Sequence, residues 1–138
     1  MTADDFVMRP IGRVESPLRD PAAAPCQGDE GSPDCWLVFD PDVRPALDGI
    51  EPGTDIVVIT WLHRGDRSVL QVHPRGDQTR AMTGVFATRS PDRPNPLGLH
   101  VVHVLELEGL RLRVQDLEAI DGTPIVDIKP VLEPRGQR

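Results

Sequence analysis

Long hydrophobic runs are missing from this chain. Stretches such as Ile56-Val-Val-Ile59 are a few residues long, against the roughly 20 that a membrane-spanning helix needs. The start, Met1-Thr-Ala-Asp-Asp, has neither the basic residues nor the apolar stretch of a secretory signal. Both absences lead to the expectation of a cytoplasmic protein with no membrane partner. Cysteine is scarce. Cys26 and Cys35 are the 2 thiols, and their spacing is neither that of zinc ligands nor a disulfide framework. Both read as free thiols, and no metal site is expected. Gly-x-Gly-x-x-Gly, the P-loop, HExxH and Gly-x-Ser-x-Gly are all absent, so common nucleotide and hydrolase sites find no support. A positive net charge is lacking too. The formal charge is −7, which argues against a general nucleic-acid binder, since phosphate contacts dominate such affinity. Tyrosine is absent, and Lys129 is the only lysine among 15 basic residues.

What is present suits one soluble domain. The 138 residues, 38% hydrophobic and 27% charged, are enough for a real core. A first strand is expected within 6–15, around Ile11 and Val14. Residues 16–34, rich in Pro, Ala, Gly and Asp, read as a long loop, of a kind that is functional or disordered in compact domains. Trp36-Leu-Val-Phe39 supplies a short buried strand. A helical stretch is expected over 40–50, with Asp42 as its cap, Pro45 in its first turn and Gly49 as its stop. The strongest strand is 55–63, whose β-branched run predicts burial on both faces. Further strands are expected at 68–73 and 83–88.

Residues 99–107 and 110–114 then form a hairpin turned at Glu108-Gly109. His100 and His103 fall on opposite faces of its first strand and cannot share a metal. After the Asp121-Gly122 turn a last strand covers 125–129, with Ile125, Asp127 and Lys129 on one face and Val126 and Ile128 on the other. Residues 132–138 are too polar to pack and should fray. Seven or eight short strands, one short helix and hairpin connections predict a mainly β domain, a single small closed barrel with long loops covering 1–138.

One stretch stands apart, Gly84-Val-Phe-Ala-Thr-Arg-Ser-Pro-Asp-Arg-Pro-Asn-Pro-Leu-Gly-Leu99. Pro91, Pro94 and Pro96 each fix their own φ and restrict the residue before them, giving a stiff polar loop between apolar strands. Such loops, presented by a sheet, are common places for binding chemistry. Between Leu62 and Pro94 six arginines face three aspartates, a local basic excess on an acidic chain that would form a basic face or a solvated loop.

This stretch, with Asp121-Gly-Thr-Pro-Ile-Val-Asp-Ile-Lys-Pro130, resembles the two signatures of the TsaA-like (TrmO) family. The likeness extends to Ile11-Gly-x-Val-x-Ser-Pro17 and to Trp61-Leu-His63, and so covers nearly the whole chain. It is similar to the short form, without a C-terminal domain. The resemblance implies a small β-barrel methyltransferase that uses S-adenosylmethionine and forms a homodimer. Its best-known activity would be N6-methylation of threonylcarbamoyladenosine beside the tRNA anticodon. Carried over residue by residue, it implies that the cofactor is held by Pro25, Cys26 and Gln27, by His63 and Arg64, and by Arg89 and Leu99. Leu117, Glu118, Asp121, Gly122 and Thr123 complete that set. Cys26 departs from the family, which often carries arginine there.

Methyl transfer from a sulfonium is an in-line displacement, so positioning and a favourable field can supply most of the effect. Asp121 or His63 could receive the acceptor's proton, though Asp121 could equally cap its own turn. Arg93 and Asn95 would face the acceptor or else brace the proline loop. A small-molecule acceptor, or a barrel that binds the cofactor without turnover, are the readings that compete with tRNA.

Overall fold

The computed structural model describes residues 5–17, 34–73 and 77–132. Six strands close into a barrel: β1 (Gly12–Glu15), β2 (Cys35–Phe39), β3 (Asp55–Trp61), β6 (Leu97–Glu108), β7 (Arg111–Gln115) and β8 (Pro124–Pro130). Their order round the barrel is β1-β2-β7-β6-β3-β8, and every pairing is antiparallel. Closure removes the open edges that an isolated sheet would present. Between β3 and β6 a small ribbon, β4 (Gln71–Val72) with β5 (Thr83–Gly84), stands beside the barrel.

The expected mainly β barrel is therefore what the chain forms. Inward residues follow the strand period of two. Val14, Leu37, Val58, Val102, Val104, Leu112, Val114 and Ile125 all lie within the core, joined by Leu117 from the segment after β7. The fully buried Cys35 is in no disulfide among the described residues; Cys26 lies outside them. No described helix is long and apolar enough to cross a membrane. Among the described residues no three His, Cys, Asp or Glu are gathered as metal ligands.

Several elements differ from expectation. The 40–50 helix is a 3-10 segment, Pro41–Leu47, with Asp40 at its cap and Asp42 in its first turn; Pro45 lies inside it. A proline there donates no backbone bond, which disfavours a regular α-helix. β3 is not buried on both faces: Ile56, Val58 and Thr60 point inward, while Val57 and Ile59 are half-buried outside. The 68–73 strand shrinks to Gln71–Val72.

The 83–88 strand ends after Gly84 and becomes a 3-10 turn, Val85–Ala87. Its cause is polar. The Val85 carbonyl accepts from Thr88 N (3.0 Å), Thr88 Oγ1 (2.9 Å) and Arg93 Nη2 (2.8 Å), and these replace a strand ladder. β6 starts earlier than expected, at Leu97. In β8 the register with β3 shifts so that Ile59 faces Asp127 while Thr60 faces Ile125, leaving Val126 as the bulged residue. Ile125 and Ile128 consequently both serve the core, rather than opposite faces.

Candidate functional site

Two loops at one end of the barrel are joined into a single wall. Residues 62–67 leave β3, and 91–96 lead into β6. Leu62 N donates to Pro96 O at 2.7 Å, Asp66 N to Asp92 Oδ1 at 2.9 Å, and Arg67 Nε to Pro94 O at 2.6 Å. Gly65 sits where they meet, and a side chain there would run into the Pro91 carbonyl and the Pro96 ring. The three prolines restrict the backbone of one loop, and these bonds transfer that stiffness to the other.

Arg93 is the brace of this wall. Its guanidinium donates to Thr88 O (2.9 Å), Ser90 O (3.1 Å) and Val85 O (2.8 Å). Asn95 Oδ1 accepts from Arg67 Nη2 at 3.0 Å. Both residues expected to face an acceptor thus have bonds within the wall.

Beside the wall lies a cationic cluster. His63 feels the charges of both Arg64 and Arg13. Burial foremost, then these two guanidiniums, lower its pKa below the ordinary 6.5, and a bond to the Trp61 backbone opposes the shift. A neutral imidazole with a lone pair is the form favoured at neutral pH. Arg13 projects from β1 opposite Pro124 and donates through Nη1 to Gly122 O at 3.3 Å.

The turn containing Asp121, Gly122 and Thr123 is fixed to β1. Gly122 N donates to Val14 O (2.7 Å), and Val14 N donates to Thr123 O (2.9 Å). Ser16 N donates to Asp121 Oδ1 (3.0 Å), and Thr123 Oγ1 to Ile120 O (2.7 Å). Gly122 has φ +83°, a left-handed value suited to glycine. Arg13 escaped the sequence reading. The available signal was an arginine alternating outward on the first strand, directly opposite the start of the last.

A second polar pair points into the barrel. Thr60 Oγ1 and His100 Nε2 are 2.9 Å apart, and Thr60 is fully buried. A Cβ on Gly98 would come within 2.5 Å of Thr60 Oγ1 and 2.7 Å of His100 Nε2, so the missing side chain is what lets the pair form. The His100 pKa falls to about 4, through burial and then through the charge of Arg89. Arg89 is thereby placed at this end of the barrel too.

The remaining expected residues are dispersed. Leu117 is fully buried, and its carbonyl accepts from the Cys35 thiol at 3.8 Å, so it presents no surface to a ligand. Glu118 is half-buried next to it. Leu99 is on the outer face of β6, 52% exposed. Pro25, Cys26 and Gln27 lie outside the described residues. The structure thus brings His63, Arg64 and the Asp121–Thr123 turn together through Arg13, and sets Arg89 beside His100.

Comparison with known proteins gives this arrangement a family. Residues 13–134 match the model of the tRNA-methyltransferase O N-terminal domain. A protein of Methanothermobacter thermautotrophicus, named as a probable S-adenosyl-L-methionine-binding protein, is 46% identical over 133 residues, covering 96% of this chain and 95% of its own. An S-adenosyl-L-methionine-binding protein of Archaeoglobus fulgidus is 41% identical over 124 residues, covering 90% and 88%. Among solved structures, TrmO from Pseudomonas aeruginosa superposes with a TM-score of 0.75 at 28% identity, over 93% of this chain. The chain spans 56% of that TrmO's length. By its fold, its signature loops and these relatives, the chain belongs to the TrmO N-terminal domain family.

Proposed function

We propose that the chain is an S-adenosylmethionine-dependent methyltransferase that N6-methylates threonylcarbamoyladenosine next to the tRNA anticodon, acting as a cytoplasmic homodimer. The observation that carries this reading is the grouping of His63 with Arg13 and Arg64 beside the Asp121–Thr123 turn, which Arg13 and Ser16 tie to β1 and the residue after it. The donor set fits the cofactor. Two guanidiniums suit the carboxylate of its methionine part, and the carboxylates of Glu118 and Asp121 suit its ammonium and hydroxyl groups.

When bound, S-adenosylmethionine supplies a methyl group on a positively charged sulfur. The chain's own residues then have two tasks. Arg13, bonded to Gly122 O, and the pinned turn orient the reactants, because their positions are set before any ligand arrives, and Arg64 adds its charge. His63 takes the proton that the acceptor nitrogen loses as it is alkylated. One ring nitrogen is bonded to the Trp61 backbone, and the other is the accepting atom. Asp121 has one oxygen committed to Ser16 N–H just after β1, which favours a role in tying its turn to that segment and leaves His63 as the base.

The homodimer is supported by an apolar stripe on the outside of β6, where Leu99 and Val101 are 52% and 57% exposed. Exposed apolar surface of this kind suits a second copy.

Calorimetric titration with S-adenosylhomocysteine, followed by mass analysis of modified tRNA incubated with and without enzyme, tests the reading. Saturable binding and one added methyl group are expected. No binding at millimolar concentration would defeat the cofactor assignment. Binding without methylation of properly modified tRNA counts against the acceptor.

A further inference from the structure

On another side of Trp61 from the β6 stripe, a groove of about 290 Å³ opens on the outside of the barrel. The β3–β8 register sets Trp61 next to Pro124, and these two form its base. Phe6 and Met8, from the extended segment before β1, form a wall with the bulged Val126. Phe6 is 90% exposed and Met8 48%, so the wall spends its apolar surface on solvent rather than on the core.

The rim is polar and rigid. Arg67 is the single charged side chain lining the groove among the described residues, and Asn95 is its neighbour there. The Arg67 guanidinium lies over the Trp61 ring, 5.2 Å from its centroid. Its Nε and Nη2 donate to Pro94 O and Asn95 Oδ1. Nη1 remains uncommitted among the described residues, and the Asn95 amide nitrogen is left as a donor.

The geometry points to a nucleobase: the groove holds one unstacked base of single-stranded RNA, a nucleotide other than the methyl acceptor, with Arg67 serving that nucleotide's phosphate or stacking on the base. This rests on the tRNA reading of the neighbouring cluster, which begins two residues beyond Trp61. The volume lies at the lower end of small-molecule pockets, enough for a planar ring system and too little for a folded segment. Apolar walls accept the faces of a base, and guanidinium and amide donors match the acceptors on its edge. Unpaired bases are held in this way, on aromatic rings and arginine planes. A lone fixed cation among apolar walls is complementary to a base attached to a phosphate. The convex stripe of Leu99 and Val101 offers no such donor and suits a second copy instead.

The fluorophores make the test direct. The chain has 2 tryptophans and no tyrosine. Trp36 is remote, on β2 beneath Arg111, so Trp36→Phe leaves Trp61 as the only reporter. A short single-stranded RNA should quench Trp61 emission saturably. The same RNA with an abasic position at the reading base should lose the quench and bind about tenfold or more weakly. Phe6→Ala, at a 90% exposed position outside the loop wall, should weaken RNA binding while calorimetric binding of S-adenosylhomocysteine is unchanged.

RNA binding without a Trp61 response overturns the proposal. So does quenching by S-adenosylhomocysteine and not by RNA, which would make the groove the cofactor's. Emission that shifts with protein concentration alone would mean a second copy covers the groove, and also overturns it. Normal cofactor-analogue binding with no RNA quench sinks the groove and spares the enzyme reading; RNA quenching without analogue binding does the reverse.

Discussion

The barrel interior and the loop wall at its end are held together by different forces. Inside, Leu37, Val58, Val104 and Leu112 are sealed from water, and their stabilisation is non-directional area burial. In the wall, Val85 and Pro96 are buried while most neighbours are partly or fully exposed. There, position is set by hydrogen bonds: Arg93 to three carbonyls and Arg67 to two acceptors. Burial supplies stability with little precision, whereas directional bonds supply precision with modest net stability. The fold can therefore tolerate damage to the wall that the site cannot.

The largest effect should come from breaking the interior side of this contrast. Leu37→Ala or Leu112→Ala removes a fully buried side chain and should cost about 2–5 kcal/mol. Chemical unfolding should show a lower midpoint with an unchanged slope. A loss of ligand affinity with no loss of stability would contradict the division drawn here.

His100 belongs to both regions, and its response to pH sharpens the comparison. Burial first, then the charge of Arg89, lower its pKa from 6.5 to about 4. As pH falls below about 6.5 the unfolded chain takes up a proton that the folded barrel refuses until about pH 4. Stability is thus complete above this window and declines through it, by up to about 3 kcal/mol at about 1.4 per pKa unit. His100→Gln should flatten that decline in unfolding curves taken from pH 7 to pH 4.5. A slope identical to the parent's would exclude His100 as its source.

Arg93→Met tests the wall itself. It removes the donors that three carbonyls share, and with charged donors such bonds contribute about 1.5–3 kcal/mol, here shared with solvent. Thermal stability should drop by a few degrees only. Binding of S-adenosylhomocysteine should weaken by tenfold or more, because Arg89 and the 62–67 loop lose their fixed frame. Equal losses in both measurements would make Arg93 an ordinary stability residue.

Much of this contrast was legible in the chain. Alternation in 110–114 marked a hairpin with one wet face, because strand period and burial coincide there. Residues 99–107 are largely apolar on both faces at first, and their pattern does not single out Val102 and Val104 as the inner residues. The proline spacing of 91–96 marked the wall. What escaped has local polar or register causes. Nothing in Val85-Phe86 announces a turn, since the carbonyl traffic that ends β5 comes from Thr88 and Arg93. The β8 bulge moves Ile128 toward the core through pairing with β3, which a one-strand pattern cannot contain. Arg13 joins His63 only when β1 closes against β8. The Trp61 groove likewise needs the segment before β1 to lie beside β8.

The smallest effect lies on a third kind of surface, the ion pairs outside the barrel. Arg113 on β7 donates through Nε to Glu106 (2.7 Å) and through Nη1 to Asp34 (2.9 Å), all three substantially exposed. Its distances are as short as those of Arg93, so geometry alone would rank the two equally. The partners separate them: Arg113 meets carboxylates that are 43% and 44% exposed, and such ion pairs are screened and must hold long side chains still, leaving about 0.2–1 kcal/mol. Arg113→Gln should therefore shift the unfolding midpoint slightly, and less again in 0.5 M salt. Arg93→Met should keep most of its effect on ligand binding at that salt concentration, because its acceptors are carbonyls in a partly buried wall. If salt erased both effects alike, the wall would be held by screened charge rather than by directional bonds.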